Sequence, residues 1–347
     1  MDLGPRASDL GPQPPAGAPP GGGGSGARGA MAAAALLGRG AAGRRGAAGA
    51  WAARAARAGA GGARAAAGAG AGAGAPARLG FGFSGGGLLL PYLAGVAAEL
   101  SGPGCADAGA GGRPPPLGPE APLAGSSAGA LTAMALAAGV PMAHALELSV
   151  QMAQGLRPGL LGAFGMKDPL RGLLEELLPP DIHRRASGRV HVGVVWLDGP
   201  SYRWELVSDF TSRSDVLEAL LASCHVPFWF DGGNLSTRFR GRAAMDGGLS
   251  PNFMPAPPGS ERAVRVTCIP NFPGADIAPG VLTPAGFSMS QAVQFALTKQ
   301  SADTMRALYA QGGTDAAEWR RRFYDPLGEL GDGGSLGGAG AAQAAPP

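Results

Sequence analysis

Apolar residues along the chain follow two patterns, short runs typical of buried strands and longer stretches with helical spacing. We interpret the short runs as strands at 79–83, 121–124, 189–197, 203–207 and 263–269. The longer stretches predict helices over 89–100, 130–138, from about 143 onwards, and over 169–178, 216–224 and 288–323. Strands that alternate with helices predict an α/β fold, a three-layer α/β/α sandwich with a mostly parallel central sheet.

The uncharged run of 26 residues from Ala121 to Leu146 is long enough to span a membrane. Small and polar residues at 125–129 and the sequence Gly139-Val140-Pro141 break its apolar character. A buried strand, a turn and a helix fit this pattern better, and we predict no transmembrane helix.

The first 78 residues differ in composition from the rest of the chain. They contain nine arginines and two acidic residues, a local charge of +7, and too few large apolar residues for a core, so we predict a disordered leader. An Arg-rich, acid-poor leader is typical of organelle transit peptides, and a translated low-complexity extension from a GC-rich genome is the alternative. The other residues carry 19 basic and 23 acidic side chains, so the sequence pI of about 9.0 reflects the leader and is no evidence for nucleic-acid binding. We predict no nucleic-acid partner.

The three cysteines, Cys105, Cys224 and Cys268, form no Cys-x-x-Cys motif and no Cys/His metal-binding spacing. Such a sparse set predicts a reducing compartment and no bound metal.

The pentapeptide Gly125-Ser126-Ser127-Ala128-Gly129 fits the G-x-S-x-G nucleophile elbow, a sharp turn between a strand and a helix. Gly125 and Gly129 are expected where a Cβ would clash in this turn. Ser127 is the candidate nucleophile at its apex, while Ser126 turns away and is predicted to be dispensable. The Ala128 N–H, at the start of the following helix, is a candidate oxyanion donor.

A second set of oxyanion donors is predicted at Gly85, Gly86 and Gly87, which follow the first strand. The spacing Gly80-x-Gly82-x-x-Gly85 also fits a dinucleotide-binding fingerprint. That fingerprint requires an acidic residue at the end of the next strand, whereas Glu99 falls at the end of a predicted helix. We therefore favour the oxyanion interpretation and predict no cofactor.

Two arrangements remain for the general base. A triad in the usual order would combine Asp181 or Asp198 with His191 or His225. Alternatively, Asp246 in Asp246-Gly247-Gly248 acts on the serine directly. An Asp-Gly pair is also a common turn sequence, and 231–233 repeats the same tripeptide.

The motifs together resemble the patatin-like phospholipase family. A Gly-Gly-Gly is followed 40 residues later by the elbow serine, and an Asp-Gly-Gly lies 119 residues after Ser127. Segments 206–213, 219–227 and 239–248 are similar to the adiponutrin and adipose triglyceride lipase branch, and the resemblance covers about residues 79–325. It implies that Ser127 is the nucleophile, that Asp246 is the base without a histidine, and that 85–87 hold the oxyanion. The chain departs from the family pattern at Leu89 and Leu90, where Arg or Lys and then Gly are usual.

The resemblance implies a triacylglycerol lipase or phospholipase that cleaves glycerolipid esters through an acyl-enzyme. A lipid acyltransferase using the same acyl-enzyme and a catalytically inactive lipid-binding protein are the alternatives. It further implies peripheral association with a membrane or lipid-droplet surface. We predict an intracellular location, in the cytoplasm, on a lipid droplet or, if the leader is a transit peptide, in a plastid. The aromatic cluster Phe228-Trp229-Phe230 would line an acyl channel, dip into lipid or belong to the core. We predict a patatin-like catalytic domain over 79–272, a helical extension packed on it over 273–325 and a disordered tail over 326–347.

Overall fold

A mixed sheet of seven strands, flanked by helices, forms the centre of the fold. The computed structural model describes residues 78–102, 114–156, 165–199 and 201–325, so the leader up to residue 77, Cys105 and the tail lie outside the described residues. The strands are β1 Leu79–Phe83, β2 Leu123–Ser126, β3 Val190–Asp198, β4 Ser201–Val207, β5 Thr237–Phe239, β6 Arg242–Asp246 and β7 Arg262–Val266. The helices are α1 Leu90–Ser101, α2 Ala128–Ala138, α3 Met142–Gly155, α4 Lys167–Leu177, α5 Ile182–Ala186, α6 Arg213–Ser223, α7 Met289–Leu297 and α8 Ala302–Trp319.

Most of the sheet is parallel. Strands β7, β1, β2 and β3 run in one direction. Strands β4 and β6 are antiparallel to β3, and β5 is antiparallel to β6. The hydrogen-bonded order is β5-β6-β3-β2-β1-β7, with β4 also paired to β3. The prediction of an α/β fold with a mostly parallel central sheet is confirmed.

The hairpin of β5 and β6 was not predicted from the sequence. Its two-residue loop places both Arg240 and Gly241 at positive φ, 46° and 75°, which is the backbone of a type I′ turn. Asn-Gly or Asp-Gly normally marks this turn, and arginine does not. Here Arg240 is held by an ion pair with Asp215, at 2.6 Å between Nη2 and Oδ2.

Strand β3 brings the ends of two other strands together. It pairs with β4 along 192–198, with β2 along 190–193 and with β6 along 194–197. Because a strand has two hydrogen-bonding edges, β2 and β6 must share the edge opposite β4. They enter from opposite directions and end at neighbouring residues of β3, Gly193 and Val194. The residue that follows β2 therefore lies beside the last residue of β6, Asp246.

The uncharged run at 121–146 forms β2, the elbow, α2 and the first part of α3, as predicted. Helix α2 ends at Gly139, whose φ of 74° is the left-handed conformation of a helix C-terminus. No helix among the described residues is both long and apolar enough to cross a membrane.

The helical region predicted over 288–323 is divided into two helices, because the chain turns between α7 and α8. The Lys299 ammonium donates to the carbonyls of Gln154 and Leu156 at the end of α3, at 2.7 and 3.1 Å. Ser301 then starts α8 as an N-cap that accepts from the Thr304 N–H. The sequence pattern around Thr298 and Lys299 fits a continuous helix, so the apolar pattern alone does not reveal this break.

Helix α8 packs closely on α1. A Cβ on Gly95 would lie 2.0 Å from the Tyr309 carbonyl oxygen, and one on Gly312 would lie 2.1 Å from the Tyr92 carbonyl oxygen. The buried Tyr92 hydroxyl donates to the buried Asp315 carboxylate at 2.6 Å. Because α1 follows the Gly85–Gly87 loop, α8 also supports the position of that loop.

Candidate active site

The elbow places Ser127 in a conformation that non-glycine residues rarely adopt, with φ 53° and ψ −123°. The flanking glycines permit this turn. A Cβ on Gly125 would lie 2.3 Å from the Gly129 carbonyl, and one on Gly129 would lie 2.3 Å from the Phe83 carbonyl oxygen. The elbow is thus pressed between its own helix and the end of β1, which holds Ser127 at the tip of β2.

The Ser223 hydroxyl, which sequence reasoning missed, supports the elbow through hydrogen bonds. The fully buried Ser223, the last residue of α6, accepts from the Ser127 N–H at 2.9 Å and donates to the Gly193 carbonyl at 2.7 Å. This hydroxyl joins the elbow to β3. The sequence could have indicated this contact at Gly193, because a glycine inside a predicted strand marks close approach of another backbone.

We expect Ser223→Ala to lower turnover about tenfold and the free energy of unfolding by about 1–3 kcal/mol, because it leaves the Ser127 N–H buried without an acceptor. Ester hydrolysis and urea unfolding of the full chain measure the two effects. Ser101→Ala is a matched control, since the Ser101 hydroxyl bonds only to the Ala97 carbonyl of its own helix among the described residues. Equal turnover in the two variants would contradict the supporting role of Ser223.

The Asp246 carboxylate is buried at the end of β6. Its Oδ1 accepts from the Gly248 N–H at 2.7 Å, whereas its Oδ2 makes no hydrogen bond with any described residue. Burial raises the pKa of Asp246 from 3.8 to about 7, and the neighbouring Ser127 hydroxyl and the Gly248 N–H offset part of this rise. A carboxyl with a pKa near neutrality is well matched to proton transfer. The Ser127 and Asp246 side chains are thus neighbours, although Oδ2 has no hydrogen bond within the described residues.

The glycines after Asp246 leave room for this approach. A Cβ on Gly247 would lie 2.1 Å from the Gly193 carbonyl oxygen and 3.0 Å from the Ser126 Oγ. One on Gly248 would lie 3.6 Å from the Gly85 Cα. The Asp-Gly-Gly turn therefore packs between the elbow, β3 and the first glycine loop.

The glycine loop lies directly beside the elbow. A Cβ on Gly85 would be 3.5 Å from the Ser127 Cβ. Gly87 has φ 53°, and the Ala296 carbonyl oxygen of α7 occupies the space that a Cβ on Gly87 would need. The N–H groups of 85–87 donate to no described residue. The N–H of Ala128, the first residue of α2, is likewise unpaired within the described chain. N–H groups without a partner among the described residues thus lie in the loop beside Ser127 and in the residue after it, and an oxyanion site needs such donors.

None of the other predicted candidate side chains bonds to Ser127 within the described residues. The hydroxyl of Ser126 points at Gly193, away from the position of Ser127, and is buried without a hydrogen bond to any described residue. The His225 ring is buried against the Asn234 carbonyl, and the His191 ring against the Leu123 carbonyl. Neither ring bonds to Ser127 within the described residues. The acids of the alternative triad form ion pairs, Asp181 with Arg185 and Asp198 with Arg242. The structure therefore does not assemble the Ser-Asp-His alternative.

Cys224 is a thiol beside Ser127 that sequence reasoning did not place here. Burial and then the Asp246 carboxylate raise the pKa of this thiol well above its ordinary value, although the Ser127 hydroxyl lowers it. The thiol stays protonated near neutral pH, which disfavours it as a nucleophile.

An apolar cavity opens beside Ser127. Six of the large side chains that line it are Leu90, Leu131, Met152, Leu170, Trp229 and Phe230. A second apolar cavity among α1, α2, α3 and α4 shares Leu90, Leu131, Met152 and Leu170 with the first, so the two adjoin. The departure from the family pattern at Leu90 thus falls on the cavity wall. Trp229 and Phe230 are core residues that also line the cavity.

The glycines of the dinucleotide fingerprint have a packing role instead. Gly80 and Gly82 pack against 255–260, which disfavours the dinucleotide-binding interpretation.

Comparisons with known proteins identify the family of the chain. The family model of the patatin-like phospholipases matches residues 81–258, just over half of the chain. The 1-acylglycerol-3-phosphate O-acyltransferase Pnpla3 of Mus musculus is 31% identical over 162 residues, 45% of this chain and 37% of that protein. Patatin-like phospholipase domain-containing protein 2 of Rattus norvegicus is 31% identical over 160 residues, 45% of this chain and 32% of that protein. The omega-hydroxyceramide transacylase of Homo sapiens is 33% identical over 173 residues, 48% of this chain and 30% of that protein.

The chain spans about a third of the length of these relatives. The matched residues include the last three residues of β1, the glycine loop, the elbow, β3 and the Asp-Gly-Gly turn. The chain belongs to the patatin-like phospholipase family.

Proposed function

We propose that this protein is a serine lipid acyl hydrolase that cleaves glycerolipid esters through a dyad of Ser127 and Asp246. The observation that carries this proposal is the meeting of β2 and β6 on one edge of β3, which sets the strained Ser127 beside a buried carboxyl. Glycine N–H groups that donate to no described residue adjoin the same serine.

The proposed reaction begins when ionised Asp246 accepts the Ser127 proton and Oγ attacks the ester carbonyl. The N–H groups of the 85–87 loop and of Ala128 hold the resulting oxyanion. Asp246 then returns the proton to the departing alcohol, which leaves an acyl group on Ser127. A water molecule that Asp246 deprotonates attacks this acyl-enzyme, releases the fatty acid and restores the serine.

The adjoining apolar cavities support an acyl chain as the group that is bound. Their lining is aliphatic, aromatic and thioether side chain, which matches a hydrocarbon and offers few polar partners. Exposed apolar residues also flank the site. Leu249 lies in the turn after Asp246, and Met289 and Val293 lie on α7, whose Ala296 contacts Gly87. These residues support peripheral binding to a lipid surface.

Acyl transfer to a lipid alcohol is the second candidate. Two of the relatives are named as an acyltransferase and a transacylase, and the same acyl-enzyme serves both reactions. The two reactions differ only in whether water or an alcohol attacks it.

Product analysis with the full chain tests the proposal. Vesicles or emulsions of triacylglycerol, phosphatidylcholine and galactolipid are offered with and without monoacylglycerol. The proposal predicts vesicle binding and release of free fatty acid from at least one lipid. Diacylglycerol formed at the expense of fatty acid would favour transfer instead, and no turnover of any ester by folded protein would contradict both.

We expect turnover to rise with pH through about 7, because Asp246 must be ionised to accept the proton and its pKa is raised to about 7. The kcat/KM profile for a soluble ester measures this in the free enzyme. Turnover that is independent of pH between 5 and 8 would contradict Asp246 as the base.

A further inference from the structure

Three buried polar side chains lie beneath the glycine loop. Ser84, Thr267 and Cys268 are all fully buried. The Ser84 hydroxyl donates to the Gly85 carbonyl at 2.8 Å and lies 2.9 Å from the Thr267 hydroxyl. The Cys268 thiol also donates to the Gly85 carbonyl, at 3.6 Å. The Ser84 hydroxyl and the Cys268 thiol therefore both lie within hydrogen-bond distance of one carbonyl oxygen on the core side of the loop.

The geometry of the peptide bond makes these contacts relevant to the neighbouring N–H. The described chain has no cis peptide bond, and in a trans peptide the C=O and the following N–H point in opposite directions. With the Gly85 carbonyl drawn towards Ser84 and Cys268, the Gly86 N–H points away from them. That N–H donates to no described residue, and Gly85 itself packs against the Ser127 Cβ.

The thiol also fits the loop sterically. A Cβ on Gly86 would lie 2.3 Å from the Cys268 Sγ, so the sulfur fills the space that a side chain would need. Burial raises the pKa of Cys268 to about 12, with the Ser84 hydroxyl offsetting part of the rise. The thiol thus keeps its proton, and its ability to donate, across the physiological range.

We propose that Cys268 and Ser84 are positioning residues of the oxyanion site, which fix the Gly85–Gly86 peptide so that the Gly86 N–H faces the reacting carbonyl. The inference rests on the proposed function. Cys268 follows β7 and lies outside the region that the family model matches. A segment beyond that region therefore contributes to the geometry of the site.

Steady-state kinetics of the full chain on a soluble p-nitrophenyl ester test this role. Removing one oxyanion donor costs about 10²–10³ in kcat, and misdirecting it should cost less. We expect Cys268→Ala and Ser84→Ala each to lower kcat about 3- to 10-fold, and the double variant to lower it about 10²-fold, with KM changed less than about twofold. Binding of a trifluoromethyl ketone, which forms an oxyanion on the serine, should weaken in parallel with kcat.

Val264→Ala is the control for lost stability, since Val264 is buried on β7, the strand that Cys268 follows. It should lower Tm and leave kcat unchanged. If Cys268→Ala or Ser84→Ala behaves like Val264→Ala, with a lower Tm and normal kcat, the inference is overturned while the proposed function stands. If Ser84→Ala does not fold, Cys268→Ala alone decides. Absence of turnover by folded wild type would contradict the proposed function, and this inference with it.

Discussion

Ser127→Ala abolishes ester turnover in our account, with a loss of at least about 10⁴-fold in kcat, as expected when the nucleophile of a covalent mechanism is removed. Alanine keeps the small Cβ that packs near Gly85, so the fold should persist. Turnover of a p-nitrophenyl ester by the full chain measures the effect, and circular dichroism checks the fold.

Ser126→Ala is the matched control one residue away. Its hydroxyl is buried over Gly193 without a hydrogen bond to any described residue, so its removal should change turnover less than about twofold and stability by no more than about 1 kcal/mol. Loss of activity in Ser126→Ala with activity retained in Ser127→Ala would show that the elbow has been assigned to the wrong serine.

Asp246→Asn should lower turnover by at least about 10²-fold, as expected for loss of a general base, and it should also stabilise the protein at neutral pH. The pKa of Asp246 is raised by burial from 3.8 to about 7. Between these values the unfolded chain ionises while the folded chain stays protonated, so folding stability falls as pH rises. The fall amounts to about 4 kcal/mol, and it is complete above about pH 7.

Asparagine does not ionise and so escapes this cost. We expect the free energy of unfolding to rise by about 1–3 kcal/mol at pH 8. This gain is smaller than the ionisation cost that is removed, because the new amide N–H groups need partners in place of Oδ2. We expect little gain at pH 4. Urea unfolding at the two pH values measures it. Asp231→Asn is the control, since Asp231 repeats the Asp-Gly-Gly sequence but lies near His225 and Asn234. Normal turnover in Asp246→Asn, together with inactive His225→Ala, would contradict the dyad.

Much of the fold could be predicted because its strongest elements are local. The apolar run of β1, the elbow pattern and the Ser212 N-cap of α6, whose hydroxyl accepts from the Asp215 N–H, follow from side-chain type and spacing. The β5–β6 hairpin and the turn before α8 depend on partners distant in sequence, Asp215 for Arg240 and the end of α3 for Lys299. The spacing of residues along the sequence does not indicate such distant partners.

The candidate site shows the same division. Ser127, Asp246 and the glycine loop stand in short motifs, and the fold brings them together. Ser223 and Cys268 bind backbone groups of the site, the Ser127 N–H and the Gly85 carbonyl. A serine or cysteine that acts on a backbone group has no motif of its own, so only the packing of α6 and β7 reveals it.

Covalent labelling of the folded full chain with a fluorophosphonate, followed by peptide mapping of the adduct, tests the central claim most directly. The reagent reacts with an activated serine whose oxyanion site is in place. Our account predicts a single adduct on Ser127, fast at pH 8, slow at pH 5 and absent from Ser127→Ala. An adduct on another residue, or no labelling of the folded wild type, would contradict it.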